Sequence, residues 1–364
     1  MSTRLVEELA TPALVVDVDV LERNITRMSA AARSGGFTVR PHAKAHKCLE
    51  IARRQLDAGA AGLTVATVGE AEVFARGGVS DLFIAYPLWV DDAKARRLLR
   101  LAESVALRVG ADSVESVQRL GRALRGAARP VQVMVEIDCG HHRTGVVPEN
   151  AVAIGQAAVD AGLEVTGVFT FPGHGYGHDP QARERAARDE EQALGDAADA
   201  LRAVGIAAPV LSGGSTPTAG RWRPGVVNEL RPGVYAFNDA TQLAIGTCTA
   251  GDLALYAIAT VVSTPAAGRF VLDVGSKALG SDRSPWVRGH GYLPAFPGAV
   301  VVSLSEHHAT VTLPEGLPAP RLGARMAVVP NHVCTPVNLA DTMVAAQNGK
   351  VIDCWSVAAR GANT

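Results

Sequence analysis

The sequence predicts an α/β protein in two parts, a parallel (β/α)8 barrel followed by a smaller β-rich domain. Up to about residue 245, strand-like runs alternate with amphipathic helical runs. Beyond that point, short strand-like runs are separated by turns with Gly and Pro, and no long helical period appears. An open doubly wound sheet is the alternative to the barrel. It is less favoured because no Gly-x-Gly-x-x-Gly follows the first strand.

The elements of the first part follow one another at a steady interval. A strand is predicted over residues 13–18, and Asp19 is expected to cap a helix that reaches about residue 34. The eight barrel strands are then expected at residues 38–41, 62–67, 81–86, 104–109, 131–138, 163–171, 209–212 and 230–237. Helices are expected between them at residues 91–103, 112–125, 149–161 and 181–204.

The second part consists of short strands. They are expected at residues 253–263, 269–274, 299–304, 309–313, 325–329, 343–346 and 351–357. We therefore assign residues 13–245 to the barrel domain, and residues 246–364 together with residues 1–12 to the β domain.

Composition excludes several classes of function. The formal net charge is −1, from 35 basic and 36 acidic side chains, so no nucleic-acid partner is expected. Five scattered cysteines without a Cys-x-x-Cys pair argue against a disulfide framework and for a reducing compartment. The first residues lack the apolar core of a signal peptide, and no apolar run reaches membrane-spanning length. The expected location is the cytoplasm, with no membrane partner.

Lys44 follows the first barrel strand, at the end where active sites of such barrels lie. Burying a lysine there is costly, because its charge must be desolvated. The position is useful if the amine must be neutral and nucleophilic, as in a Schiff-base lysine. The alternative is a basic corner between strand and helix that faces solvent.

Unusual residues follow three further barrel strands. Arg143 lies after the fifth strand, and His174 and Tyr176 lie after the sixth. The run Ser-Gly-Gly-Ser-Thr after the seventh is a candidate phosphate site, because glycines let backbone N–H groups approach a ligand and hydroxyls add donors. The alternatives are a surface ion pair for Arg143, a packed loop aromatic for Tyr176 and an ordinary polar loop for the glycine run.

The β domain contains a His-x-Cys pair, His332 and Cys334. An imidazole and a thiolate held close together suit Zn²⁺, which favours nitrogen and sulfur ligands. Two protein ligands are too few for a structural zinc site but fit a catalytic one with open positions. The alternative is a purely structural role for both residues.

Several segments together resemble one enzyme family. Pro-His-Ala-Lys-x-His-Lys at residues 41–47, Gly-His-His-Arg-Thr-Gly at 140–145, Gly-His-Gly-Tyr at 173–176 and Pro-Asn-His-x-Cys at 330–334 occur in the family's order. They resemble the D-threonine aldolase / D-serine dehydratase family, whose members are two-domain pyridoxal 5'-phosphate (PLP) enzymes with the alanine-racemase-like fold. The resemblance runs from about residue 11 to residue 361. It is closest in motif to the metal-dependent D-serine dehydratases.

The resemblance implies a set of site residues. PLP would be carried by Lys44 and not by Lys47, and His174 would assist proton transfer. Arg143 and Tyr176 would touch the pyridine ring or the substrate carboxylate. A divalent metal, with zinc favoured over manganese or magnesium, would be bound by His332 and Cys334. The phosphate would be held by Gly213, Gly214, Ser215 and Thr216, with help from Gly233 and Tyr235.

The activity implied is that of a PLP- and metal-dependent lyase acting on a small 3-hydroxy-D-amino acid, in a homodimer. The His-x-Cys pair favours a D-serine dehydratase (D-serine ammonia-lyase), which forms a 2-oxo acid and ammonia. A D-threonine aldolase, which forms glycine and an aldehyde, is the first alternative. A racemase of the same fold is the second; it would need no metal and a second base such as Tyr256 or Tyr292. A PLP carrier without catalysis and a zinc hydrolase with a (β/α) barrel are less favoured alternatives.

Overall fold

The computed structural model describes residues 9–221 and 225–364. It divides into two compact units. The barrel unit comprises Met28–Lys44, Ala52–Gly233 and Ala362–Thr364. The β unit comprises the described residues up to Arg27, then Ala45–Ile51 and Val234–Gly361. Residues 1–8, which the sequence assigned to the β domain, lie outside the described residues, and the domain boundaries stay a prediction.

The secondary structure alternates in the first part of the chain and is mostly strand in the second. In chain order the strands are β1 (Ala13–Asp17), β2 (Thr38–Val39), β3 (Leu63–Val65), β4 (Asp81–Ile84), β5 (Ala106–Ala111), β6 (Gln132–Glu136), β7 (Glu164–Phe169), β8 (Val210–Gly213), β9 (Glu229–Leu230), β10 (Leu255–Ala266), β11 (Arg269–Leu272), β12 (Val300–Leu304), β13 (Ala309–Thr312), β14 (Arg325–Val328), β15 (Thr342–Gln347) and β16 (Lys350–Ser356). The helices are α1 (Val18–Gly35), α2 (Leu49–Asp57), α3 (Val68–Arg76), α4 (Asp92–Ser104), α5 (Val114–Ala123), α6 (Ala151–Asp160), α7 (Pro180–Ala203), α8 (Ala240–Ala244), α9 (Ser276–Leu279) and α10 (Cys334–Leu339).

The barrel unit contains a curled parallel sheet of eight strands. Its order is β2-β9-β8-β7-β6-β5-β4-β3, and a parallel bridge between His42 and Thr64 joins the chain after β2 to β3 at the other end of that order. Helices connect the consecutive strands from β2 to β8, and parallel neighbours need such crossover connections. The predicted (β/α)8 barrel with a separate β-rich domain is therefore confirmed.

The last barrel strand is shorter than predicted. Residues 230–237 were expected to form it, but the strand is only Glu229–Leu230, and a 3₁₀ turn occupies Val234–Ala236. The reason is local: Pro232 has no N–H to donate to a neighbouring strand. Tyr235, expected in or near a strand, therefore lies in that turn and is buried.

Close packing fixes the interior of the barrel unit. The rings of Phe83 and Phe169 meet edge to face with their centroids 5.0 Å apart, and Met134 belongs to the same buried cluster. Gly167 has φ +155°, and a Cβ there would overlap the carbonyl of Val210. A glycine is required at this position because β7 and β8 approach too closely for a side chain.

The β unit is built on a second sheet. Its order is β12-β13-β11-β10-β1-β15-β16, with β14 paired to β10. The sequence placed β1 with the barrel, but its hydrogen bonds run antiparallel to β10 and parallel to β15. Phe270, Leu272 and Val311 are fully buried in the core of this unit. The structure records all five cysteines as free, as the sequence predicted, and among the described residues no helix is long and apolar enough to cross a membrane.

Candidate functional site

Lys44 stands on a short turn at the end of a barrel strand. After β2, the N–H of His42 donates to the carbonyl of Pro232 at 3.0 Å, and a 3₁₀ turn over Ala43–Ala45 follows. This places the half-buried Lys44 with its Nζ 5.8 Å from the centroid of the Phe171 ring. Within the described part of the chain the amine forms no hydrogen bond or ion pair. An amine in this setting is available to a ligand.

Lys47 has a different environment. It is buried, and its Nζ donates to Oδ1 of Asn338 at 2.8 Å and to the carbonyl of Ala359 at 3.4 Å. These bonds tie the segment within the β unit. The two lysines thus differ in that the amine of Lys47 is engaged by hydrogen bonds, and the assignment of the cofactor to Lys44 stays a prediction.

Lys44 lines a cavity of about 420 Å³ in the barrel unit. A cavity of this size is in the range of small-ligand sites. Its wall is formed by residues at the carboxyl ends of several barrel strands. The lining residues are His42, Lys44, Ala66, Ala85, Tyr86, Pro87, Glu136, Arg143, Thr144, Phe169, Phe171 and Arg231.

Arg143 is the second predicted residue that the structure places in this cavity. Its guanidinium carbon lies 5.2 Å from the centroid of the Phe171 ring, so Lys44 and Arg143 contact the same aromatic residue. His174 and Tyr176 do not line the cavity. His174 Nε2 lies 3.2 Å from Oδ2 of Asp189, and the cofactor roles of both residues stay predictions.

Arg231 was not among the predicted site residues. It lines the cavity, and its guanidinium lies 5.6 Å and 5.1 Å from the ring centroids of Phe83 and Phe169. The sequence places Arg231 two residues after Glu229, so both side chains lie on the same face of an extended chain. The structure shows that this face is buried. Which face looked inward could not be read from one short strand.

Glu136 is a second cavity residue that sequence reasoning missed. Its Oε1 accepts a hydrogen bond from the Thr144 hydroxyl at 2.8 Å. Burial raises the pKa of this carboxyl above its ordinary value, although the Thr144 bond acts in the opposite direction. Glu136 is the last residue of β6. A charged residue at the carboxyl end of a predicted barrel strand is a sign of a functional site, and the sequence offered that sign here.

The glycine loop after β8 is ordered by its own hydrogen bonds. The N–H of Gly214, which has φ +85°, donates to the buried carboxylate of Glu190, and a Cβ on Gly213 would collide with that carboxylate. The N–H of Ser215 donates to the Thr218 hydroxyl at 2.9 Å. The loop amides therefore face oxygen acceptors, one of them on a carboxylate. The loop does not line the 420 Å³ cavity, and its phosphate contacts stay a prediction, as do those of Thr216, Gly233 and Tyr235.

The β unit holds His332 just before the short helix that begins at Cys334. Nδ1 of His332 lies 3.1 Å from Oδ2 of Asp239, a residue with no solvent exposure. Burial lowers the pKa of His332, but the neighbouring Cys334 and the bond to Asp239 outweigh this and raise it to about 11. The imidazole therefore interacts with both a cysteine and a carboxylate.

This arrangement fits a metal ion. A metal-binding histidine generally donates its other ring N–H to a carboxylate, and Asp239 is placed to accept from Nδ1, which leaves Nε2 for a metal beside the Cys334 sulfur. Within residues 9–221 and 225–364, no group of three His, Cys, Asp or Glu residues is arranged around one point. Metal binding by His332 and Cys334 stays a prediction. Asp239 was missed, because it lies 93 residues from His332 in sequence.

Comparison with known families and proteins follows the same division of the chain. Residues 16–240 match the family described as alanine racemase, N-terminal domain, and residues 254–346 match the putative serine dehydratase domain. D-threo-3-hydroxyaspartate dehydratase of Delftia sp. (strain HT23) is 36% identical over 90% of this chain and 91% of its own length. D-threonine aldolase of an Arthrobacter species is 36% identical over 96% of this chain and 93% of its own.

Solved structures agree with these matches. A cysteine-to-alanine variant of D-threo-3-hydroxyaspartate dehydratase in the metal-free form superposes with a TM-score of 0.89 at 32% identity, covering 96% of this chain and 98% of the variant's chain. A metal-free form of that enzyme implies that the enzyme also has a metal-bound form.

Proposed function

The chain belongs to the alanine-racemase-like family of PLP-dependent lyases that contains D-threonine aldolase and D-threo-3-hydroxyaspartate dehydratase, and we propose that it is a metal-dependent dehydratase of a 3-hydroxy-D-amino acid. The observation that carries the choice of reaction is the His332–Cys334 pair with Asp239 behind it. Nitrogen and sulfur donors favour zinc, with manganese or magnesium as weaker candidates.

The residues present fit the cofactor. Among the described residues the Lys44 amine has no hydrogen-bond partner, and it lines an aromatic-walled cavity to which Arg143 and Arg231 supply positive charge. When bound, PLP supplies an electron sink that stabilises negative charge at Cα of the substrate. We propose that Lys44 Nζ takes the Cα proton and that Arg143 orients the substrate carboxylate or the ring. Gly213, Gly214, Ser215 and Thr216, with Gly233 and Tyr235, would hold the phosphate, and Tyr176 and His174 would complete the polar surroundings.

The metal would act on the substrate hydroxyl. His332 and Cys334 would hold it, and the metal would polarise the Cβ–O bond as a Lewis acid. Loss of the Cα proton and the Cβ hydroxyl removes one water from the substrate. Hydrolysis of the resulting enamine gives a 2-oxo acid and ammonia. In this reading D-serine and its 3-substituted analogues are the substrate class.

An aldolase is the second candidate. It is favoured by the 36% identity to the Arthrobacter D-threonine aldolase over nearly the whole chain. In that reaction the hydroxyl proton is removed and the Cα–Cβ bond breaks, so the same cofactor and substrate class give glycine and an aldehyde. A racemase is the third candidate and would keep its activity without metal.

Product analysis distinguishes these reactions. D-threonine and D-threo-3-hydroxyaspartate are incubated separately with the PLP- and zinc-loaded protein, with L-threonine as a stereochemical control. A 2-oxo acid and ammonia in equal amounts support the dehydratase. Glycine with acetaldehyde or glyoxylate supports the aldolase and contradicts the dehydratase. The Cα epimer as product, such as L-allo-threonine from D-threonine, formed equally after chelation, supports the racemase.

Two further expectations accompany this proposal. We propose a homodimer, which light scattering on the PLP-loaded protein tests directly. We also propose a cytoplasmic location, on the basis of the free cysteines. Cell fractionation would test it, and recovery in an oxidising compartment would contradict it.

A further inference from the structure

A buried ionic network lies inside the barrel unit. Glu229 Oε2 accepts from Arg40 Nε at 2.8 Å and from Arg108 at 3.0 Å, and Arg40 also binds both oxygens of Asp81 at 2.7 and 3.1 Å. Arg40 is 1% exposed and Glu229 is 4% exposed. Buried charges of this kind are tolerated only when they are paired and hydrogen-bonded. Stability alone accounts for these four residues, but the network extends further.

Ser212 connects the network to Arg231. Ser212 pairs with Glu229 in the register of β8 and β9, and its Oγ lies 2.7 Å from Glu229 Oε1 and 2.9 Å from Arg231 Nε. Burial raises the pKa of Glu229, but Arg40 and Arg108 outweigh it and hold the pKa below its ordinary value. An ionised carboxylate only accepts hydrogen bonds, so the Ser212 hydroxyl must donate to it. Its oxygen is then left to accept from Arg231 Nε.

These bonds fix the plane of the Arg231 guanidinium. Nη2 donates to the carbonyl of Thr170, and the group is flanked by Phe83 and Phe169. Within the described part of the chain Nη1 has no hydrogen-bond partner, although the residue lines the Lys44 cavity. The guanidinium is thus held through Nε and Nη2, while Nη1 is left to donate to a polar ligand in a fixed direction.

We propose that Ser212 and Glu229 are positioning residues that hold Arg231 in place to bind the polar edge of the cofactor in the Lys44 cavity. The inference rests on the proposed function, because it assumes that PLP is the ligand of this cavity. Ser212 acts through Arg231 and touches no ligand itself. Glu229 supplies the charge that keeps the hydroxyl of Ser212 turned away from Arg231 Nε.

The test compares three variants. Ser212→Ala removes the bridging oxygen, and Ser212→Thr keeps it. Thr166→Val removes a buried hydroxyl of β7 that, within the described residues, donates only to the carbonyl of Val133. The apoprotein is titrated with PLP to obtain the dissociation constant. The absorption maximum of the bound cofactor is then followed against pH, because charge and hydrogen bonds near the ring tune its electronics. Thermal unfolding checks that each variant is folded.

We expect Ser212→Ala to raise the dissociation constant about tenfold, in keeping with the loss of a hydrogen bond to a charged group. Its absorption maximum and pH profile should also shift, whereas Ser212→Thr and Thr166→Val should match the unmodified protein. If Ser212→Ala does not fold, Ser212→Cys replaces it; its weakly accepting sulfur should give a smaller change in the same direction.

The outcomes separate this inference from the proposed function. An unmodified protein that binds no PLP overturns both. An unmodified protein that binds PLP, with Ser212→Ala unchanged in affinity, absorption maximum and pH profile, overturns the positioning role alone. An equal change in Thr166→Val also overturns it, because any lost buried hydroxyl would then have the same effect.

Discussion

In the β unit, Nδ1 of the His332 imidazole lies 3.1 Å from Oδ2 of the buried Asp239 carboxylate. Oδ1 of Asp239 also accepts from the N–H of Gln242 at 2.8 Å and caps α8. One buried carboxylate thus begins a helix and orients the imidazole. A histidine held through one nitrogen presents the other in a fixed direction, as a metal site requires.

Asp239→Asn should separate these two tasks. Asparagine is an equally good helix cap, so α8 should persist, but the charge that holds His332 is lost. We expect a loss of metal affinity of about 10- to 100-fold, the usual effect of removing such a partner. Competition with a chromogenic chelator measures it. Asp341→Asn, at an exposed residue paired with Arg360, is the control; equal affinities in both variants would contradict the role of Asp239.

Cys334→Ala should remove a proposed metal ligand. We expect the variant to retain PLP but to lose bound metal and lyase activity, because a single histidine does not hold a divalent ion tightly. Elemental analysis gives metal per chain, and absorbance gives cofactor per chain. Cys354→Ala, at an exposed cysteine of β16, is the matched control. Full activity of Cys334→Ala after exhaustive chelation would contradict a role of the metal in the reaction.

Lys44→Ala should abolish covalent attachment of PLP. The expected result is loss of the visible absorption band and loss of the cofactor-modified peptide after borohydride reduction and mass spectrometry. Lys350→Ala, at the exposed first residue of β16, should leave both unchanged. Detection of the modification on another lysine at full occupancy in the unmodified protein would reassign the site.

Asp252 links stability to pH in the β unit. It accepts from the Thr249 N–H at 2.9 Å and from Arg27 at 2.7 Å. Burial raises the pKa of its carboxyl, but these bonds outweigh it and hold the pKa below the ordinary value. The folded pKa therefore lies below the unfolded one, so the stabilisation is present above about pH 4 and is lost as the pH falls through the folded pKa.

We accordingly expect Asp252→Asn to lower the free energy of unfolding by about 1–3 kcal/mol at pH 7. The difference from the unmodified protein should shrink towards pH 3. Thermal unfolding between pH 3 and pH 8 measures it, with Glu315→Gln, at an exposed loop residue, as the control. A difference that stays constant over this range would show that the effect does not come from the charge.

Local pattern determined much of this protein. The alternation of strands and helices predicted the barrel, because each parallel strand needs a crossover before the next. The predicted helix at residues 91–103 corresponds to α4 (Asp92–Ser104), which Asp91 caps. Lys44 and the His332–Cys334 pair were proposed as site residues from short segments, since each segment holds its candidate groups within a few residues. The prediction of a strand over residues 230–237 was wrong in its length, because Pro232 has no N–H for a strand hydrogen bond.

The tertiary structure decided which distant side chains meet. Asp239 reaches His332 across 93 residues, and Arg231 reaches Thr170 across 61. The sheet that β1 joins was likewise decided by its pairing with β10 and β15, which lie far along the chain. Such contacts depend on strand order and on which face of a strand looks inward, and a two-residue strand such as β9 is too short to reveal its face. The sequence alone therefore singled out Lys44, His332 and Cys334 as candidate site residues, whereas the tertiary structure decided which distant side chains lie beside them, such as Asp239 beside His332.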